Sequence, residues 1–233
     1  MNHMLYRTVE CQMAVRQLRN TIHTQIRGKI RRWRVRDRRE ILDRAAHLYR
    51  TQGFHATTMA QIGAAVGILG GSLYHHIESK EALLYEIVEA GTRGLLSAVH
   101  EASRQPGSAG ARLRAAILAH LRFSTDPARA DYAVVFLNEI FNLRDPHMRR
   151  ALLQLAKHYE DIFAGIIKDG VASKEFRSKV DVQMVVYAVL GMGNWTPRWF
   201  RPDGRLSVEQ IANEYADLVV HGLSSRNTRP RET

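Results

Sequence analysis

Thr58 and Gln61 stand three residues apart at the head of an apolar helical run, and that spacing does something specific. A threonine at a helix start accepts from the backbone N–H three residues in, and a glutamine there reaches back, forming a capping box. Behind them Met59, Ile62 and Val66 recur at helical spacing, with Ala64 and Ala65 small enough for close packing. Gly67 stands where this helix must stop, because glycine takes the left-handed conformation of a C-terminal cap without a Cβ clash. Ile68 and Leu69 then plug the angle to a second short helix, from about Gly70 to His76, with Leu73 and Ile77 on its inner face. Two short helices meeting at a glycine form a helix-turn-helix, whose second helix enters the major groove of DNA. The chemistry on offer is therefore hydrogen bonding to phosphates and base edges. Gly70, Gly71 and Ser72 open the second helix, the part that reaches bases. The two glycines permit close backbone approach, and base reading falls to Ser72, to Leu69 by apolar contact, and to an arginine of a basic N-terminal arm.

The elements that position these residues are all helical in pattern. Residues 35–51 read as a first helix with Ile41, Leu42, Ala45, Leu48 and Tyr49 on its apolar face, ended by Gly53. Ser79 caps a long helix with Glu81 in its first turn, where negative charge suits the helix dipole, and this helix runs to about Ser103. The stretch from Arg104 to Gly110 is the clear break in composition. Beyond it the periodicity predicts helices around Leu113 to Leu121, Val134 to Phe141, Met148 to a stop at Gly170, Val180 to Phe200 and Val208 to Leu223. The reading is an all-α chain. Residues 1–33 form a basic N-terminal extension, 34–80 the helix-turn-helix domain, 81–104 a connecting helix, 105–225 a C-terminal regulatory and dimerisation domain, and 226–233 a tail.

Charge supports a polyanionic partner. The net charge is +11 over 233 residues, of which residues 1–40 carry +8. The extension reads as a DNA-contacting arm, an extra helix or a start extension, and its arginine-rich, acid-poor composition also mimics a transit peptide. The arm is favoured, because the basic run from Lys29 to Arg34 abuts the DNA-binding domain. A single cysteine, Cys11, excludes an intramolecular disulfide framework and suits a reducing cytoplasm. No apolar run approaches the roughly 18 residues of a membrane span. No His-x3-His, phosphate loop or dinucleotide fingerprint occurs, so no catalytic residue, metal site or cofactor is expected. His75 and His76 read as a solvated pair, since neighbours on a helix point about 100° apart.

The segment resembles the N-terminal domain of TetR-family transcriptional repressors. The resemblance rests on Gly53 and Phe54, Thr57 and Thr58, Ile62, the Ala65-Val66-Gly67 turn, Ser72-Leu73-Tyr74-His75, and Ser79-Lys80-Glu81 with Leu83 or Leu84. It covers residues 35–90 closely and the C-terminal half loosely. It implies that Thr58, Tyr74, His75 and Lys80 contact the phosphate backbone, with Tyr74 also packing between helices. Glycine at 70 departs from the longer polar residue common there. The resemblance further implies a bacterial, cytoplasmic homodimer joined through its last two helices. Its recognition helices would sit in major grooves about 34 Å apart on a palindromic double-stranded operator.

A second stretch, residues 187–205, carries Gly191 and Gly193, then Trp195, Trp199 and Phe200 as aromatic walls, and Arg198, Arg201 and Arg205 as charge. Its two readings are interface and core packing, or a ligand cavity with a cationic mouth formed by Gly191, Trp195, Arg198 and Trp199. With residues 67–76 it looks like the acyl-CoA-responsive branch of the TetR family, which includes regulators of fatty-acid and sterol catabolism. An apolar cavity suits an acyl or steroid tail, and arginines suit CoA phosphates. The expectation is a repressor released from DNA by an acyl-CoA effector. The alternatives are an effector-independent architectural DNA-binding protein and a helical enzyme that binds acyl-CoA.

Overall fold

In a computed structural model of the chain, residues 38–75 and 77–225 are described. The basic extension over 1–33, Cys11, His76 and the tail over 226–233 lie outside the described residues. The chain divides into two compact units, Met1–Leu42 and Asp43–Thr233. Of the first unit, residues 38–42 are described; they open helix α1 (residues 38–52), and Ile41 among them is buried.

The second unit carries the rest of α1 and eight further α-helices among the described residues. The helix-turn-helix comes first. Helix α2 (Met59–Ala65) begins with the capping box read from the sequence, complete in both directions between Thr58 and Gln61. Gly67 takes a φ of +73° after it, the left-handed turn that glycine admits without strain. Helix α3 (Gly70–Leu73) is shorter than the expected 70–76 and leaves Tyr74 and His75 in the turn that follows. Gly63 and Gly70 face each other across this corner. A Cβ on Gly70 would lie 2.9 Å from the Ala60 Cα, and one on Gly63 would lie 2.9 Å from the Ile68 carbonyl oxygen. Leu73 and Ile77, at 0% and 1% exposed, anchor the corner beneath.

Helix α4 (Lys80–Ser103) starts on the Ser79 cap with Glu81 in its first turn. Helix α5 (Ala109–Thr125) follows the 104–108 break and is the central helix, packed against α4, α6 (Ala130–Glu139), α7 (Pro146–Ala172), α8 (Val182–Trp199) and α9 (Val208–Leu223). A 3₁₀ turn, Ile140–Asn142, extends α6. Leu113, Leu121, Phe163, Ile167 and Val186 are fully buried in the core around α5. Burying a side chain of this size contributes about 1.5–3 kcal/mol each. Asp145 caps α7 ahead of Pro146, and Ser207 with Gln210 forms a second capping box on α9.

One expected stop moves. Helix α7 runs past Gly170 to Ala172 and ends beside Lys174, which has a φ of 61°. Gly170 serves close packing instead, since a Cβ there would lie 2.2 Å from the Phe176 ring. Pro197 falls in the last turn of α8.

Candidate nucleic-acid interface and ligand cavity

The helix-turn-helix presents Leu69, Gly71, Ser72, Tyr74 and His75 to solvent, with Leu69 80% exposed and Tyr74 57% exposed. These side chains are free to meet a groove. Gly71 has nothing within 4 Å of a built Cβ, so it leaves open space on the outer surface. Gly70 does not: it turns toward Ala60, and its small size serves the crossing of α2 and α3 rather than approach to a partner. Thr58 is exposed, yet its hydroxyl accepts from the Gln61 N–H at 3.2 Å and donates to Gln61 Oε1 at 3.0 Å, so the cap engages it.

Lys80 departs from its expected role. Its ammonium donates to the Phe54 carbonyl at 2.8 Å and the Thr57 carbonyl at 2.9 Å, with the His55 carbonyl at 3.5 Å. It also lies 4.3 Å from the centre of the Phe54 ring. The three protons of the ammonium thus tie the start of α4 to the loop before α2. Tyr49 joins this clamp, donating its hydroxyl to the Lys80 carbonyl at 3.3 Å and meeting Phe54 edge-on at 5.4 Å. Burial, with Glu139 adding, pushes the Tyr49 phenol well above its ordinary range, so it stays a donor.

A cavity of about 310 Å³ lies between α4, α5, α6, α7 and α8. Its lining is mostly apolar, with Phe136, Leu137 and Ile140 from α6 and its 3₁₀ turn facing Leu95 and Leu190. Phe141 and Leu153 line it while remaining 77% and 47% exposed, which marks the mouth. At the other extreme His120, 2% exposed, meets the Tyr159 hydroxyl through Nδ1. Burial pushes the His120 imidazole down to about 4, opposed weakly by the backbone of Gly193, so the ring is neutral near pH 7.

Helix α8 turns a different face to this cavity from the one expected. Leu190, Asn194 and Pro197 line it, whereas Gly191, Trp195, Arg198 and Trp199 do not. Gly191 is open, and Trp195 and Trp199 are 59% and 44% exposed. A step of one residue turns a helix by about 100°, so the right stretch presents the neighbouring face. Arg198 stacks over Trp195 at 4.7 Å and donates to Asn138 Oδ1 at 2.8 Å, linking α8 to α6. With Met184, Tyr187 and Leu218, at 60%, 53% and 68% exposed, these tryptophans make an apolar outer surface on α8 and α9.

The cavity and the helix-turn-helix share α6. Asp131 on α6 accepts from Arg50 at 2.7 Å and pairs with His47 at 3.1 Å, both on α1. The Tyr132 hydroxyl donates to Asp43 at 2.7 Å, while its ring lines the cavity. At the far end of α6, Glu139 accepts from the Phe54 N–H at 3.3 Å, and Asn142 pairs with His55 at 2.8 Å. Glu81 of α4 accepts from the N–H groups of Arg144 and Asp145, just before α7. None of these pairings was foreseen, because the partners are 63 to 89 residues apart.

Known proteins resemble the chain along most of its length. Residues 41–87 match the family of bacterial regulatory proteins called tetR, and residues 106–223 match the tetracyclin repressor-like C-terminal domain. The HTH-type transcriptional repressor KstR2 of Rhodococcus jostii (strain RHA1) is 33% identical over 190 residues, covering 81% of this chain and 91% of that protein. The crystal structure of the TetR-family regulator PfmR from Thermus thermophilus is 36% identical, with a TM-score of 0.71 over 79% of this chain and 98% of that one. The structure of AibR in complex with isovaleryl coenzyme A and operator DNA is 30% identical, with a TM-score of 0.71 over 78% and 96% of the two chains.

Proposed function

The chain belongs to the TetR family of bacterial transcriptional regulators, and from that premise we propose that it is a repressor released from its operator by an acyl-CoA thioester. The observation that carries this reading is α6, which walls an apolar cavity on one face and is hydrogen-bonded to α1 on the other. A ligand that fits the cavity in only one position of α6 shifts the protein toward the position with weaker DNA contact. The acyl part occupies the cavity, and the CoA part, too large for about 310 Å³, stays outside the mouth at Phe141 and Leu153. The AibR complex and the KstR2 relative support this choice of effector and of repression by likeness alone.

In this reading Leu69, Gly71, Ser72, Tyr74 and His75 meet the operator. Trp195, Trp199 and Gly191 belong to a homodimer surface on α8 and α9, which sets two recognition elements on a palindrome. No helix among the described residues is long and apolar enough to cross a membrane, and a DNA-binding regulator of this kind would act in the cytoplasm. The test is competition binding on genomic fragments at fixed salt, with and without a pool of acyl-CoA thioesters. A discrete palindromic site released by one thioester is the expected result. Salt-sensitive binding to every fragment alike, unmoved by any thioester, would instead favour an architectural DNA-coating protein.

A further inference from the structure

The cavity has a blind end, and one aromatic ring forms it. The lining follows α6 along its length: Tyr132 lies in the first turn of that helix, and Phe141 at the mouth lies just past its last. Ten residues at a rise of 1.5 Å set those two ends about 15 Å apart. Phe123 of α5 belongs to the end away from the mouth, because Arg129, the residue that precedes α6, stands over its ring at 5.1 Å. The ring is buried.

Beyond Phe123 lies more space. A groove of about 480 Å³ runs between α4 and α5, lined in part by Ala98, Ala102, Ala115 and Ala119, whose small side chains leave it open. Among the described residues, Phe123 is the one that borders both the groove and the cavity. Its ring is held from two sides. A Cβ on Gly94 would lie 2.8 Å from ring atoms Cε2 and Cζ, so the ring tip fills the place that a larger residue on α4 would take. Arg129 covers the ring face, and Asp126 holds that guanidinium at 3.4 Å. A buried ring packed against backbone on one side and under a guanidinium on another keeps one rotamer, and so acts as a fixed wall between the two spaces.

We propose that Phe123 sets the length of the effector: the ligand's apolar tail extends from the mouth along α6 and stops at this ring, with the groove beyond it out of reach. The effector class is thereby narrowed to thioesters whose acyl group ends inside the cavity. The inference rests on the acyl-CoA reading only for the identity of the head group left at the mouth. A volume of about 310 Å³ is near the lower limit of ligand sites, which run roughly from 300 to 1,000 Å³. Each methylene that enters an apolar cavity raises affinity about fourfold, and one that finds no room adds nothing or clashes.

The test is calorimetry on the full chain with saturated acyl-CoA thioesters from butanoyl to hexadecanoyl. In the wild type, affinity should climb about fourfold per methylene and then level off or fall. In Phe123→Ala, which joins cavity and groove, the climb should continue, and the affinity ratio of hexadecanoyl-CoA to octanoyl-CoA should rise by roughly tenfold or more. Phe123→Leu, a smaller cut, should move the limit the same way by less, and serves if the alanine variant does not fold. A wild-type climb that never levels overturns the proposal without recourse to any variant. So does a limit that stays in place in the variants, including a loss by the same factor at every length, which marks a packing role alone. A parallel series of free fatty acids separates this inference from the reading it rests on. Fatty acids whose limit moves in Phe123→Ala, with no binding by any thioester, remove the acyl-CoA reading and uphold the length limit. Thioesters that bind with no limit, or with one that Phe123 does not set, do the reverse. Binding by neither series overturns both.

Discussion

Two residues, His120 and Lys80, show how much a single side chain decides here. His120 has a folded pKa of about 4, below its unfolded value of 6.5. Between those values the unfolded chain binds a proton that the folded chain refuses, so stability present above pH 6.5 is lost as pH falls toward 4. At 1.36 kcal/mol per unit the loss is roughly 3 kcal/mol. Urea melts from pH 7 to 4 should show it, and His120→Phe should flatten that part of the profile. Lys80 makes a sharper distinction. With its ammonium given to the Phe54 and Thr57 carbonyls, Lys80→Ala should lower stability by about 1–3 kcal/mol. The slope of log affinity against log salt should stay unchanged, whereas loss of a true phosphate contact would reduce it by about 0.9. A reduced slope with an unchanged melting temperature would restore the phosphate role. The motif around Lys80 was legible in the sequence, but which partner its charge meets was not. Phe54 and Thr57 lie 26 and 23 residues before it, and only the folded loop brings their carbonyls to one point.

Among the elements, α6 and α8 carry the functional argument. Helix α6 holds α1 through Asp131 and the loop before α2 through Glu139, and its Phe136 and Leu137 face the cavity. The connector expected from the sequence is α4, which lines the cavity through Leu95 and holds the loop before α2 through Lys80; α6 adds a second set of side-chain pairings between the cavity wall and the helix-turn-helix domain. Asp131→Asn removes the charge that meets Arg50 and His47. The pair is partly exposed and contributes little to stability, on the order of 1 kcal/mol or less. Its effect should fall on coupling: the factor by which an effector weakens operator binding should shrink about fivefold, within the usual range for such couplings. Fluorescence anisotropy on operator DNA with and without effector measures both quantities, and an unchanged factor would remove Asp131 from the path. Helix α8 teaches a different lesson. Its stretch, glycines and aromatics were recognisable, but the face it turns inward was not. Leu190, Asn194 and Pro197 follow the inner stripe, and Gly191, Trp195 and Trp199 the next one round. Apolar residues occupy both stripes, so hydrophobic periodicity could not choose between them.

For the whole molecule, that ambiguity has a cause. Helices α8 and α9 have two apolar faces because each meets the core on one side and leaves Met184, Tyr187, Trp195 and Leu218 on the other. Exposed apolar surface of this kind marks an association site. Leu218→Glu combined with Tyr187→Glu should convert a dimer to a monomer in sedimentation, from twice the chain mass to the chain mass. Operator affinity should fall with it, since a palindrome is read by two copies. A dimer that survives both charges would place the subunit contact elsewhere.

By itself the sequence determined which stretches are helical and where several of them begin. Thr58 with Gln61, Ser79 before α4, Asp145 with Pro146 and Ser207 with Gln210 each act on backbone groups two or three residues away, so the information is local. The ordered set of motif residues from Gly53 to Leu84 sufficed to indicate the family. Tertiary structure decided what the helices enclose. His120 meets Tyr159 across 39 residues, Arg50 meets Asp131 across 81, and the lack of a side chain at Gly193 has meaning only with the His120 ring against it. Such pairings depend on how helices cross, and helix crossing is set by the packing of the whole core around α5, which no local pattern encodes.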